Sequence, residues 1–217
     1  MILLQKPNSS KRFSKGALYK MSYSLEPLQD GCYEGTTVLI NKFGIKDDAK
    51  LDIIERDITS ALIAKAYIEI PFESVDFDFY KNLHYYVFSD IYEWAGKVRS
   101  VDISKKGTRF CPSVRIETSG RAIFEYLSKK SYFTDLADEE FIKEFTELYC
   151  RLNYLHPFRE GNGRIQRLFL SMLLKNMRKS IDFSKIDTDL LMIATIKAVS
   201  GDIFTLQDVF RRSIKRH

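Results

Sequence analysis

His156-Pro157-Phe158-Arg159-Glu160-Gly161-Asn162-Gly163-Arg164, with Arg167 just beyond it, puts an imidazole, a carboxylate, two glycines around an amide, and two guanidiniums in one short turn and the segment that follows. Pro157 disfavours helical geometry at His156, so any helix arriving from the N-terminal side must stop there. One does arrive: residues 138–154 carry Phe141, Phe145, Leu148 and Leu152 at i, i+4, i+7 and i+11. Beyond the glycines the rhythm restarts near Arg164. Ile165, Leu168, Phe169, Met172 and Leu173 mark a helix over residues 165–177, apolar enough to lie at the centre of the fold.

Outward from this pair, most of the chain reads as helix. Residues 47–65 place Leu51, Ile54, Ile58, Leu62 and Ile63 at helical spacing, with Asp47 or Asp48 as the cap. Residues 78–94 do the same with Phe79, Leu83, Tyr86, Val87 and Ile91, and residues 116–128 with Ile123 and Leu127. Residues 188–199 and 205–214 complete the set. One segment departs from this. Val98-Arg99-Ser100-Val101-Asp102-Ile103-Ser104 alternates apolar and polar residues, reaches Lys105-Lys106-Gly107, and continues as Thr108-Arg109-Phe110-Cys111-Pro112. Two short extended pieces around a Lys-Gly turn predict a small hairpin, which Pro112 ends. A lone hairpin is marginal in water, so it must rest on the helices or be completed by a partner strand. The expected class is all-α with one small β-hairpin, in a single unit without internal repeats.

Composition bounds the function. The 217 residues are 45% hydrophobic and 29% charged, which suits a folded globular chain. A net charge of +5 permits an acidic partner or a nucleotide but does not demand nucleic acid. Cys32, Cys111 and Cys150 are odd in number and lack C-x-x-C spacing, so neither a disulfide framework nor a zinc site is indicated. A reducing compartment follows as the simplest setting. No stretch has the length of a membrane span, and Met1-Ile2-Leu3-Leu4 is too short for a signal peptide. A cytoplasmic protein is the expectation, with delivery into another cell left open. Residues 1–22 hold five lysines and arginines and no acid, and read as a solvated basic tail.

The central stretch carries the chemistry. Glycines flanking an amide let backbone N–H groups approach a ligand closely, and the start of the next helix adds free donors and partial positive charge, which favours phosphate. Arg164 and Arg167, three apart, reach one end and face of that helix. Two guanidiniums there suit a polyphosphate better than a single carboxylate. Glu160 beside them is either a salt-bridge partner or a ligand for Mg²⁺, which typically uses one or two carboxylates with the substrate's oxygens. His156 is placed to accept a proton from an attacking hydroxyl. Each element alone is common in ordinary structure; their order and spacing make the pattern specific. The P-loop and dinucleotide-binding glycine motifs are missing, as is H-E-x-x-H.

Residues His156 to Arg167 resemble the signature of the Fic family, H-x-F-x-[D/E]-G-N-G-R-x-x-R, at every fixed position. Tyr33-Glu34-Gly35-Thr36-Thr37-Val38-Leu39-Ile40-Asn41-Lys42-Phe43-Gly44-Ile45 is similar to the family's N-terminal segment. Asp90-Ile91-Tyr92-Glu93-Trp94-Ala95-Gly96-Lys97-Val98-Arg99 and Thr108-Arg109-Phe110 look like the approach to its flap hairpin. The likeness runs over about residues 30–200 and implies a Fic-type helical bundle at residues 23–217. It implies transfer of AMP from ATP to a Tyr, Thr or Ser hydroxyl of a target protein, with His156 as base and Glu160 holding Mg²⁺. Gly161, Asn162 (backbone and side chain), Gly163, Arg164 and Arg167 would bind the phosphates. Lys106, Gly107, Thr108, Arg109 and Phe110 would form the flap that docks the target.

The second glycine favours AMP transfer over the kinase branch. A Fic protein transferring UMP or phosphocholine, or a non-catalytic nucleotide-binding module, remains an alternative; the intact His156 argues against the last. Many members also carry an inhibitory helix, [S/T]-x-x-x-E-[G/N], whose Glu pairs with the residue matching Arg164. Ser113 to Glu117 and Ser89 to Glu93 have the spacing, but Thr118 and Trp94 follow. The resemblance therefore implies the class inhibited by a small separate antitoxin, with Arg164 lacking a partner from this chain. Family analogy points to bacterial topoisomerases such as DNA gyrase as targets.

Overall fold

The structure is a computed structural model that describes residues 31–105 and 108–217, with no side chain described at Lys105 or Thr108. The basic tail at 1–22 and the flap residues Lys106 and Gly107 lie outside the described residues. Among the described residues seven α-helices form the body: α1 (Asp48–Glu69), α2 (Phe77–Phe88), α3 (Ile116–Lys129), α4 (Asp138–Leu155), α5 (Asn162–Asn176), α6 (Thr188–Val199) and α7 (Phe204–Ser213). The expected hairpin is present between α2 and α3, as β1 (Ser104–Lys105) and β2 (Thr108–Arg109). It is antiparallel, with Ser104 opposite Arg109. The fold is thus the all-α bundle with a small hairpin that the sequence predicts.

Local chemistry sets most helix ends. Asp47 caps α1 by accepting from the Lys50 N–H, and Asp76 and Asp187 do the same for α2 and α6. Three acids in the first turn of α4 complement its dipole. α5 begins at Asn162, two residues before the expected restart. It is buried nearly all round, through Ile165, Leu168, Phe169, Leu170, Met172, Leu173 and Leu174, and packs against α1, α2 and α4. An aromatic cluster of Tyr80, Phe124, Phe158 and Phe169 lies beneath the loop between α4 and α5.

Three expectations change. α2 stops at Phe88 rather than 94, because Ile91 and Tyr92 both donate to the Phe88 carbonyl in tight turns that bury their side chains. A second two-stranded sheet, β3 (Lys179–Ile181) with β4 (Ile214–Arg216), was not anticipated; β4 takes Ile214, expected to end the last helix. The third concerns α1. Its apolar residues Ile54, Ile58, Leu62 and Ile63 are only half-buried, and its buried line is Leu51, Glu55, Thr59 and Ala66. A carboxylate on the inward face of a helix requires a partner, and that partner lies in the α4–α5 loop.

Candidate active site

The loop begins with a change of handedness. His156 caps α4 at φ 41° and ψ 58°, in the left-handed region, while its N–H still donates to Leu152. For a residue other than glycine this backbone is strained, and Arg99 supplies the restraint. Its Nε donates to the His156 carbonyl at 2.8 Å, Nη1 to Val101 and Nη2 to Cys111. Its backbone N–H donates to Pro157. The Arg99 side chain is fully buried. One guanidinium therefore fastens both roots of the hairpin to the end of α4.

The His156 ring is fixed as well. The Asn153 carbonyl, 3.2 Å from Nδ1, can only accept, which assigns a proton to Nδ1. The Phe110 ring stacks on the imidazole with centroids 3.8 Å apart. Phe110, expected among the target-docking residues, is itself buried against the imidazole; Arg109 beside it is exposed.

Asn162 closes the loop into a ring. Its Oδ1 accepts from the Phe158 N–H at 2.8 Å and its Nδ2 donates to the Phe158 carbonyl at 2.7 Å. The side-chain amide expected to hold phosphate is thus committed to Phe158, and what this residue presents at the helix start is its N–H. The first turn bonds from Arg164 and Ile165 back to Gly161, which leaves the N–H groups of Asn162 and Gly163 without intrahelical partners. Gly161 has φ 80°, and a Cβ there would collide with the Phe88 ring; at Gly163 one would lie 3.2 Å from Arg167 Nη1. Gly161 is needed for the loop to sit this low on α2, while a side chain at Gly163 would press on the guanidinium of Arg167.

The buried line of α1 meets Arg164. Glu55 Oε1 lies 2.5 Å from Arg164 Nη2, Thr59 accepts from Nη1 at 3.2 Å, and the guanidinium stands 4.8 Å over the Phe88 ring. The buried Tyr92 hydroxyl donates to the other oxygen of Glu55. Glu160 Oε1 is 3.4 Å from the same Arg164 nitrogen and accepts from the Gly161 N–H. Burial alone would lower the pKa of Arg164, but Glu55 and Glu160 outweigh it and hold it above the usual guanidinium value.

This corrects the expectation that Arg164 lacks a partner in its own chain. Neither candidate inhibitory acid supplies it: Glu117 pairs with Lys81 and Glu93 with Lys42. Glu55 has Leu51 four residues before it and Arg56 after, so the [S/T]-x-x-x-E-[G/N] pattern could not have found it. The signal that could have is a carboxylate and a hydroxyl four apart, on the line that also carries Leu51.

Arg167 differs. Among the described residues no carboxylate pairs with it. Although its side chain keeps exposed surface, the packing around its guanidinium lowers its pKa, and Arg164 lowers it further. It borders a groove of about 450 Å³ between α1 and α5, lined also by Arg164, Ile63, Tyr67 and Phe183.

His84 was also missed as part of the site. Fully buried between Phe88 and Phe158, it accepts from the Gly96 N–H at Nδ1, so its protonated Nε2 donates to the Glu160 carbonyl at 3.1 Å. Burial depresses its pKa to about 3. It is a neutral clip under the loop.

Glu160 and its surroundings fit a hard cation. One carboxylate beside free backbone N–H groups and two guanidiniums is a site that Mg²⁺ would share with phosphate oxygens, rather than an all-protein cage. Among the described residues no group of three or more His, Cys, Asp or Glu is arranged to hold a metal. No helix among them is long and apolar enough to cross a membrane.

Known proteins agree with this geometry. The sequence profile of the Fic/DOC family matches residues 74–174. The probable protein adenylyltransferase y4lH of Sinorhizobium fredii is 35% identical, across 84% of this chain and 94% of that one. The probable protein adenylyltransferase Fic of Salmonella typhimurium is 31% identical, across 84% and 90%. The crystal structure of BepC, a translocated effector of Bartonella tribocorum with bound AMPPNP, superposes with a TM-score of 0.81 at 26% identity, covering 92% of this chain and all of that one. With the loop, its complete motif and near full-length relatives in agreement, this chain belongs to the Fic/DOC family.

Proposed function

We propose that this chain is a protein adenylyltransferase, which moves AMP from ATP to a hydroxyl side chain of a target protein and releases pyrophosphate. The observation that carries this reading is that one loop holds His156 at its start, with Nδ1 facing the Asn153 carbonyl, and the N–H groups of the first turn of α5 at its end. His156 Nε2 takes the proton of the acceptor hydroxyl, and that oxygen attacks the α-phosphorus. The bond from the α-phosphorus to the bridging oxygen breaks, and the electron pair leaves with pyrophosphate. The N–H groups of Asn162 and Gly163, with Arg164 and Arg167, receive the phosphates and stabilise charge on the leaving group. Glu160 would hold Mg²⁺, whose role when bound is to neutralise phosphate charge. The hairpin offers strand edges for pairing with an extended target segment.

The relatives named as adenylyltransferases support the reaction, and the bound AMPPNP of BepC supports the nucleotide. Restraint by a small antitoxin acting in the cytoplasm completes the reading. Arg167, without a carboxylate partner among the described residues and beside an open groove, is the residue that an antitoxin acid would engage. A bacterial topoisomerase such as DNA gyrase is the target to try first. Incubation with α-labelled and γ-labelled ATP tests the reaction. Label on protein from the α position alone is expected; label from γ alone means a kinase and rejects it. His156→Ala is expected to lose on the order of 10²-fold or more in rate while binding nucleotide normally; unchanged transfer would remove His156 from the mechanism.

A further inference from the structure

Arg164 stands between two carboxylates. Its Nη2 is 2.5 Å from Glu55 and 3.4 Å from Glu160. Only the second of these faces the phosphate cradle. A cation on Glu160 would lie close to the Arg164 guanidinium, which contacts Oε1 of that carboxylate, and the two positive charges would repel each other. Arg164 already reaches Glu160 at 3.4 Å, so how firmly it is drawn toward Glu55 decides how tightly it holds that carboxylate.

The α1 side is built to draw it. Glu55 is buried to 5% exposure, and its second oxygen is engaged by Tyr92, so it is held in place independently of Arg164. Thr59 draws Nη1 in the same direction, and the Phe88 ring lies against the guanidinium. The charge count points the same way. Glu55, Glu160 and Arg164 together carry a net charge of −1, which attracts a divalent cation; without the Glu55 charge the group is neutral.

We propose that Glu55 is a positioning residue that keeps Glu160 available to Mg²⁺ by holding Arg164 on α1. The proposal rests on the reading of Glu160 as the Mg²⁺ ligand. Glu55 touches neither nucleotide nor metal, and acts only through Arg164.

The test measures binding of a non-hydrolysable ATP analogue by calorimetry across a Mg²⁺ titration, so no chemical step enters. In Glu55→Gln the Mg²⁺ concentration for half-maximal analogue binding is expected to rise about tenfold, with binding restored at saturating Mg²⁺. Glu55→Asp keeps the charge but withdraws it by one methylene, and a rise of about threefold is expected. A purely structural role would lower the melting temperature and weaken binding at every Mg²⁺ concentration alike. If Glu55→Gln does not fold, the aspartate variant decides. A Mg²⁺ midpoint equal to that of the unmodified chain in the folded variants overturns the proposal. If binding to the unmodified chain ignores Mg²⁺, the reading of Glu160 falls and this proposal with it; Mg²⁺-dependent binding with an unshifted variant rejects this proposal alone.

Discussion

On its α1 side the α4–α5 loop meets charge; on its hairpin side it meets backbone. The α1 contact is a buried network of Glu55, Arg164, Thr59 and Tyr92 with two ionised partners. The hairpin contact is Arg99 donating to the carbonyls of His156, Val101 and Cys111, with Phe110 stacked on the imidazole. The first arrangement resists change because either ion left alone inside the protein is costly. The second fixes only the roots of the hairpin. The two-residue strands beyond keep their outer edges unpaired among the described residues. Arg164 is thus positioned by charge, and His156 by carbonyls and packing.

Four substitutions or conditions probe that contrast. Arg164→Ala leaves the buried Glu55 without an ion partner, though still bonded to Tyr92, and is expected to cost about 3 kcal/mol in urea denaturation. A cost below about 1 kcal/mol would mean that Glu55 is not a buried ion there, and the two sides would not differ in kind. Arg99→Ala strips three carbonyls of their donor and is expected to cost about 3 kcal/mol. If Arg99→Lys, which cannot span all three, were as stable as the unmodified chain, the hairpin root would not depend on the guanidinium fork.

Beneath the loop, His84 adds a pH dependence. Its folded pKa of about 3 lies below the ordinary 6.5, so the unfolded chain takes up the proton first as pH falls. Its contribution is intact above about 6.5 and is lost progressively down to about 3. From about pH 7 to about pH 5 the loss is about 2 kcal/mol, and His84→Gln should remove that part of the slope. An identical slope in the variant would deny His84 this role. The smallest change in stability is expected for Arg167→Ala, within about 0.5 kcal/mol. The same substitution should weaken binding of an ATP analogue about tenfold or more, as loss of a charge-assisted contact does. A large loss of stability would instead make Arg167 a second Arg164.

The sequence made the helices and the loop legible because their signals are local. Pro157, the paired glycines and the 3.6-residue rhythm on either side of them need no distant partner to be read. Glu55 was not legible, because its partner lies more than a hundred residues away and its neighbours match no inhibitory pattern. The apolar rhythm of α1 pointed at Ile54 and Ile58 while the face that matters carries a carboxylate and a hydroxyl. Ile91 extended the apparent period of α2 past its end for a related reason: burial in a tight turn looks like burial in a helix. The β3–β4 pairing joins two three-residue segments far apart in the chain, too short for alternation to register.

The left-handed backbone at His156 has a practical consequence for trapping a target. An inert form should keep the loop's path, and the replacement must tolerate a positive φ. Asparagine does so more readily than most L residues, and glycine does so freely. A β-branched residue such as valine would force the chain out of that basin and distort the very surface meant to capture the bait. If His156 is the base proposed above, His156→Asn is the variant expected to keep the loop's path while losing transfer, whereas His156→Val would confuse lost chemistry with lost shape.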